Sequence, residues 1–175
     1  VSRAIAGLKW AVAREVGPFS AARARGAKAY GIRYEKQLAE ALGPRALRGQ
    51  WFQFEDSAGK GWCQADLLMK WGDVLVCLEA KYTWVQAGHD QLDKLYLPIL
   101  RSIVAGKQPV VGVVVCKRLT PRMPGVEVAR TLEGALERAI AGQRTALHWI
   151  GNLDALAQRS APRAWTVRQA EGMRP

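Results

Sequence analysis

The chain has 175 residues, 49% hydrophobic and 23% charged, which excludes a wholly disordered protein and fits one compact domain with, at most, an extra arm. Lys and Arg number 26 against 15 Asp and Glu, a net charge of +11, so a polyanionic partner is the first class to consider. Three cysteines with no C-x-x-C pair make neither a disulfide framework nor a four-thiolate zinc site.

Cys77 and Cys116 sit inside apolar runs and read as small buried side chains. No apolar stretch approaches ~18 residues, and the first ten residues lack a signal-peptide h-region. The expected setting is therefore reducing and intracellular (cytoplasmic), with no membrane partner. His89 and His148 lie far apart and outside any H-x-x-x-H spacing, so histidine-based zinc hydrolases and phosphodiesterases are hard to build here. Any hydrolytic chemistry must run on carboxylates and lysines.

The charge is unevenly spread. Residues 1–50 carry 10 basic and 3 acidic side chains, residues 51–117 carry 7 of each, and residues 118–175 carry 9 and 5. A neutral, acid-bearing middle is flanked by basic ends. Basic side chains bind polyanions by displacing condensed counterions, which puts nucleic acid first. An anionic membrane surface comes second, but no segment joins a broad apolar face to a lysine-rich one. Arginine outnumbers lysine 17 to 9, a balance that suits phosphate, although a GC-rich genome produces it too.

In chain order, residues 4–16 place Ile5, Leu8, Val12 and Val16 at helical spacing before Gly17-Pro18, which predicts a helix. Residues 20–30 are small and basic, so residues 1–30 read as an N-terminal helix and basic arm. From Gly31 to Leu42, Tyr34, Leu38 and Leu42 recur every fourth residue and predict a second helix. Residues 47–55 read as a strand, Asp56–Gly61 as a turn, and residues 62–71 and 74–82 as strands around Gly72-Asp73. Residues 89–105 place Leu92, Leu95, Tyr96, Ile99 and Ile103 on one helical face, with Pro98 expected to kink it. The β-branched run 109–116 predicts a fully buried central strand. A helix over 131–142 and a strand over 146–150 close a core of residues 31–150. Residues 151–175 form a basic extension, expected to be loose from Ala161 on. Helix, three strands, helix, strand predicts an α/β fold: a meander, a crossover helix and a buried parallel strand, the mixed sheet flanked by helices.

The hairpin places the chemistry. A two-residue turn at Gly72-Asp73 pairs Trp71 with Val74, and counting back along both strands sets Asp66 opposite Glu79 and Gln64 opposite Lys81. Opposed residues share a sheet face, as do Glu79 and Lys81, two apart on one strand. One patch then holds two carboxylates, an ammonium and an amide. Opposed like charges destabilise a sheet unless one is protonated, a cation neutralises both, or the pair sits at a frayed edge. Mg²⁺, with Mn²⁺ as its substitute, takes a few carboxylate oxygens plus water and substrate phosphate, so the pair forms half a cage. The bland alternative is a solvated strand face with a weak salt bridge, and a bulge would turn Asp66 away. Trp51, Trp62, Trp71 and Trp84 gather round this hairpin as packing or edge cover, with base stacking as the functional alternative.

Tyr34-Glu35 on a helix, Asp66 in QADLLM on the second strand and Glu79-Ala80-Lys81 on the third, followed by helix and strand, resemble the PD-(D/E)XK nuclease superfamily. The resemblance covers about residues 31–117. Ala65 stands where the superfamily motif has proline. The resemblance implies an αβββαβ restriction-endonuclease-like core and a magnesium-dependent deoxyribonuclease, endonuclease or exonuclease. It implies Asp66, Glu79 and the Ala80 carbonyl as metal ligands, with Glu35 completing the set and Lys81 orienting the attacking water or stabilising the transition state. The RecB-like branch carries Q-x-x-x-Y on the following helix; here four residues separate Gln91 and Tyr96, so the motif is imperfect, and Tyr96 reads first as core packing with Leu92 and Ile99. Glu35 reads otherwise as an ordinary exposed helix face.

DNA is the expected partner. Arg23, Arg25, Lys28 and Arg33 would hold backbone phosphates on one side, and Lys117, Arg118 and Arg122 on the other. A domain of this size often needs a second copy to cut both strands, which makes a homodimer a further expectation. No small-molecule cofactor is expected. The alternatives are a non-catalytic nucleic-acid-binding module on the same fold and an RNA nuclease.

Overall fold

The computed structural model describes residues 4–18 and 26–151, and the backbone of 163–164. The elements in order are β1 (Trp10–Arg14), α1 (Ala27–Leu42), a 3-10 turn (Gly43–Arg45), β2 (Leu47–Asp56), β3 (Gly59–Trp71) and β4 (Val74–Thr83). They continue with α2 (Gln86–Gln91), a π-helical turn (Leu92–Tyr96), α3 (Leu97–Val104), β5 (Val110–Arg118), β6 (Glu127–Ala129), α4 (Leu132–Ile140), β7 (Thr145–His148) and β8 (Arg163–Ala164). The strands form one mixed sheet in the order β1-β2-β3-β4-β5-β7-β6, with β8 paired against β3.

The expected α/β architecture is present. β2, β3 and β4 are an antiparallel meander, and the helical segment 86–104 crosses over to β5, which runs parallel to β4. Val113, Val114, Val115 and Cys116 of β5 are fully buried, as a strand covered on both faces must be. Val114 and Cys116 pack with Phe52, Phe54, Leu92 and Ile99 on one face. Val113 and Val115 pack with Tyr34, Leu38, Leu132 and Leu136 on the other. One core lies under α3 and the second under α1 and α4.

The N-terminal segment departs from expectation: residues 10–14 form an edge strand against β2, with Trp10 opposite Glu55 and Arg14 opposite Trp51. The helical spacing of Ile5, Leu8 and Val12 is outweighed by the open edge of β2, which supplies partners for a whole strand of backbone groups. Val16, expected on the apolar face, is 79% exposed. Gly17 lies where a Cβ would stand 2.1 Å from the Trp51 indole, so the chain leaves the sheet over that ring.

Smaller differences follow the same logic. β3 starts at Gly59, so the turn after β2 is shorter than residues 56–61. β6 joins the sheet unforeseen, and Arg163–Ala164 pairs with Met69 and Lys70, in a stretch expected to be loose. The helix after β4 begins at Gln86 and is interrupted by the π turn before Pro98. Proline has no N–H for the carbonyl of Lys94, four residues back. That carbonyl accepts the N–H of Ile5 at 2.7 Å, tying the N-terminal segment to the interrupted helix.

Leu38 is fully buried at the centre of the α1 face. Truncating a buried leucine removes transfer energy and leaves a cavity. Leu38→Ala should cost about 2–5 kcal/mol in equilibrium denaturant unfolding. A cost below about 0.5 kcal/mol, the scale of an ordinary surface substitution, would show that α1 is not packed there.

Candidate active site

The hairpin register is the expected one from Trp71–Val74 through Leu67–Leu78, and there it stops. Asp66 pairs with neither Glu79 on β4 nor Gly49 on β2, although β2 and β3 pair on both sides of that point. Ala65 and Leu68 belong to the core under α3, whereas Leu67 and Met69 belong to the core under α1. The core-facing positions of β3 therefore change phase at Asp66, while the register with β2 is the same on both sides, Arg48 opposite Leu67 and Gln50 opposite Ala65. Gly49 opposite has φ +71°, a conformation glycine adopts without cost. The direct Asp66–Glu79 ladder pair is thus corrected: the Asp66 carboxylate turns to the backbone and accepts the N–H of Ala80 at 2.8 Å.

Gln64 is corrected with it. Instead of facing Lys81, it pairs with Trp51 on β2 and donates its amide to the Gly49 carbonyl at 2.8 Å. Its own carbonyl accepts the Tyr96 hydroxyl at 2.9 Å. Tyr96 is buried in the core, as packing alone required, and its hydroxyl braces β3 two residues before Asp66. Gln91 ends α2, half-buried, and does not line the cleft described below.

Glu79 is 1% exposed, on the face of β4 that also carries Cys77 and Lys81. Its Oε1 is paired with the Lys81 Nζ, and its Oε2 is buried with no hydrogen-bond partner. Lys81 itself is half-buried and reaches the surface. A cleft of about 480 Å³ opens beside it, lined by Lys28, Tyr30, Glu35, Asp66, Lys81 and Tyr82 among others. Ala80 forms part of the same wall. Glu35, on α1, accepts a bond from Arg48 Nε of β2 at 2.8 Å. The cleft therefore gathers three of the four expected groups, Glu35, Asp66 and Lys81, and Glu79, which does not line it, is joined to it through its pair with Lys81.

Burial holds the carboxyl of Asp66 well above the usual range, and the charges of Glu79 and Glu35 push it the same way. The Ala80 N–H and Lys81 act against that shift. Burial also raises Glu79, helped by Glu35 and opposed by Lys81. Three carboxylates thus repel one another in a partly dry site. Among the described residues no three His, Cys, Asp or Glu side chains form a ready metal cage. Two neighbouring carboxylates, one of them with an unpartnered oxygen, still fit Mg²⁺, which keeps several waters and commonly takes one or two carboxylates from the protein.

The basic residues expected on two sides converge. Lys28 lines the cleft, and Arg33 lies over the Tyr30 ring at 5.8 Å. Lys117 and Arg118, at the end of β5, lie 5.7 and 5.2 Å from the Tyr82 ring centre. Arg122 is exposed in the loop after β5. Arg23 and Arg25 lie outside the described residues. Tyr30, Tyr82 and Arg48 carry no mark in the sequence; only the folded α1–β4 contact brings the first two together.

The remaining ionisable groups stand apart from this chemistry. All three cysteines are free and buried, and burial pushes Cys63 and Cys116 up to about 12. His89 is buried beside Trp84, and burial with the Arg144 charge pushes it down to about 4. Among the described residues no helix is long and apolar enough to cross a membrane. No protein-family model, curated protein or solved structure matches the chain.

Asp66 and Glu79 bind protons more tightly in the folded protein than in the unfolded chain. Stability then falls as pH rises from their ordinary values of 3.8 and 4.5 towards the raised ones. Asp66→Asn keeps an acceptor for the Ala80 N–H and removes one charge. It should melt higher than wild type at neutral pH and decline less steeply with pH, as thermal unfolding across the acid-to-neutral range will show. A lower melting temperature at neutral pH would mean that the carboxylate stabilises the fold.

Proposed function

We propose that the chain is a metal-dependent DNA nuclease that hydrolyses phosphodiester bonds at Asp66, Glu79 and Lys81, on a restriction-endonuclease-like core of the PD-(D/E)XK kind. The observation that carries the reading is the Oε2 of Glu79, a buried carboxylate oxygen without a partner beside a second raised carboxyl. Burying an unsatisfied charged group costs the fold and is retained where a ligand completes it. The order α1, β2–β4, helical crossover, β5 supports the αβββαβ core.

Asp66, Glu79 and the Ala80 carbonyl are the groups that would hold Mg²⁺ or Mn²⁺. Glu35 would join them by leaving its partly exposed pair with Arg48, which is cheap to exchange. Such a cation, when bound, supplies positive charge to the scissile phosphate and acidifies an attacking water. Lys81 is anchored by Glu79 on one side and open to the cleft on the other, so its N–H groups can orient a water or hold a phosphate oxygen. Lys28, Lys117 and Arg118 supply charge for the polynucleotide backbone. Neither His89, buried beside Trp84, nor His148, bonded to the Lys117 carbonyl at 3.1 Å, is among the residues lining the cleft.

Purified protein should cut DNA with Mg²⁺ or Mn²⁺ and not with EDTA. Lys81→Ala should lower the cleavage rate by about 10²-fold or more and leave DNA affinity within a few-fold. Asp66→Ala should lose both cleavage and the rise in melting temperature that millimolar Mn²⁺ gives the wild type. Near-wild-type cutting by Lys81→Ala, or a wild type whose melting ignores both metals in the presence of DNA, rejects the reading.

A further inference from the structure

Four aromatic rings run from the core to the lip of the cleft. Trp149 and Tyr34, both 2% exposed, lie with ring centres 5.6 Å apart at a 40° tilt, and the Tyr34 hydroxyl donates to the Trp149 carbonyl at 2.8 Å. Tyr34 meets Tyr82 edge-on at 6.2 Å, and Tyr82 meets Tyr30 at 5.7 Å. Tyr30 ends the series in solvent at 53% exposure. Core packing accounts for the inner members. It does not account for a tyrosine left more than half exposed on the first turn of a helix, with Arg33 over it and Lys117 and Arg118 over its neighbour.

An aromatic face ringed by cations has the chemistry of a base-stacking platform: the ring takes the base, and the cations take the phosphates beside it. In an intact duplex both faces of a base are hidden in the stack, so only an unpaired nucleotide can offer one. Tyr30, Tyr82, Asp66 and Lys81 line the same cleft, so a base seated on the tyrosines brings its own backbone towards the carboxylates. The cleft's volume of about 480 Å³ is on the scale of pockets that take small ligands, enough to seat a base but not to enclose a double helix.

We infer that the cleft takes a single DNA strand, with an unpaired base stacked on Tyr30 and Tyr82 and its flanking phosphates held by Lys28, Lys117 and Arg118. This rests on the nuclease reading for what happens to the strand, but the binding itself needs no cleavage. It makes unpaired DNA, free or at a frayed end, the substrate class.

The test measures fluorescence anisotropy in EDTA with a labelled oligothymidine and a blunt duplex of equal length. Wild type should bind the single strand about 10-fold more tightly than the duplex, a difference on the scale of one stacked base. Tyr30→Ala should erase that preference by weakening single-strand binding alone, and Tyr30→Trp should restore it. Tyr30 is exposed, so neither variant threatens folding; melting curves verify this. Equal affinity of wild type for the two forms, or a Tyr30→Ala loss shared equally by both, overturns the inference. Metal-dependent cleavage with no role for Tyr30 sinks the platform alone. A Tyr30-dependent single-strand preference in a protein that never cuts sinks the nuclease alone.

Discussion

The hydrogen bond from the Ala80 N–H to the Asp66 carboxylate sits where β3 pairs with neither neighbour, and the layout of the cleft depends on it. A regular strand would have set Asp66 squarely against Glu79, two like charges in one ladder position. The change of phase replaces that contact with a side chain bound to the backbone. It also lets Cys63 and Ala65 pack under α3 while Leu67 and Met69 pack under α1, so one strand serves both cores. Gly49 on β2 gives the local freedom, and the Tyr96 hydroxyl on Gln64 braces the strand just before the break.

The same geometry concentrates negative charge. Burial, with the charges of Glu79 and Glu35, raises the proton affinity of Asp66, and burial with the charge of Glu35 raises that of Glu79, with Lys81 and Arg48 as the nearby cations. A fold shaped by stability alone gains nothing from a buried glutamate with one oxygen unsatisfied, because the desolvation of that oxygen is not returned. Glu79 and Asp66 together put a buried unpartnered oxygen and a second raised carboxyl beside one cleft, with well-packed valines and leucines behind it. Such local violation of an otherwise consistent fold is where function is sought.

Positive charge is arranged by contact between distant segments. Lys28 and Arg33 come from α1, and Lys117 and Arg118 from the end of β5, yet all four surround the Tyr30–Tyr82 pair. Lys117 and Arg118 are placed because β5 runs parallel to β4 in a register that pairs Thr83 with Arg118. The parallel crossover thus does more than bury β5: it carries two cations to the aromatic end of the carboxylate strand.

Strong local patterns were legible in the sequence. The period of Tyr34, Leu38 and Leu42 marked α1, the valine run marked β5, and the Gly72-Asp73 turn fixed a hairpin register correct for five pairs. Those features depend on neighbours along the chain, so helical and strand periods report them directly. Glu35, Asp66, Glu79 and Lys81 could also be chosen from residue type and element order. What only the tertiary structure decided depends on partners far along the chain. Residues 10–14 carry a helical pattern and become a strand because β2 offers an open edge. Asp66 leaves the ladder because two cores claim opposite phases of β3, a conflict that no single strand's pattern reveals. Tyr30 and Tyr82 meet only when α1 docks on β4, and a pair 52 residues apart has no period to betray it.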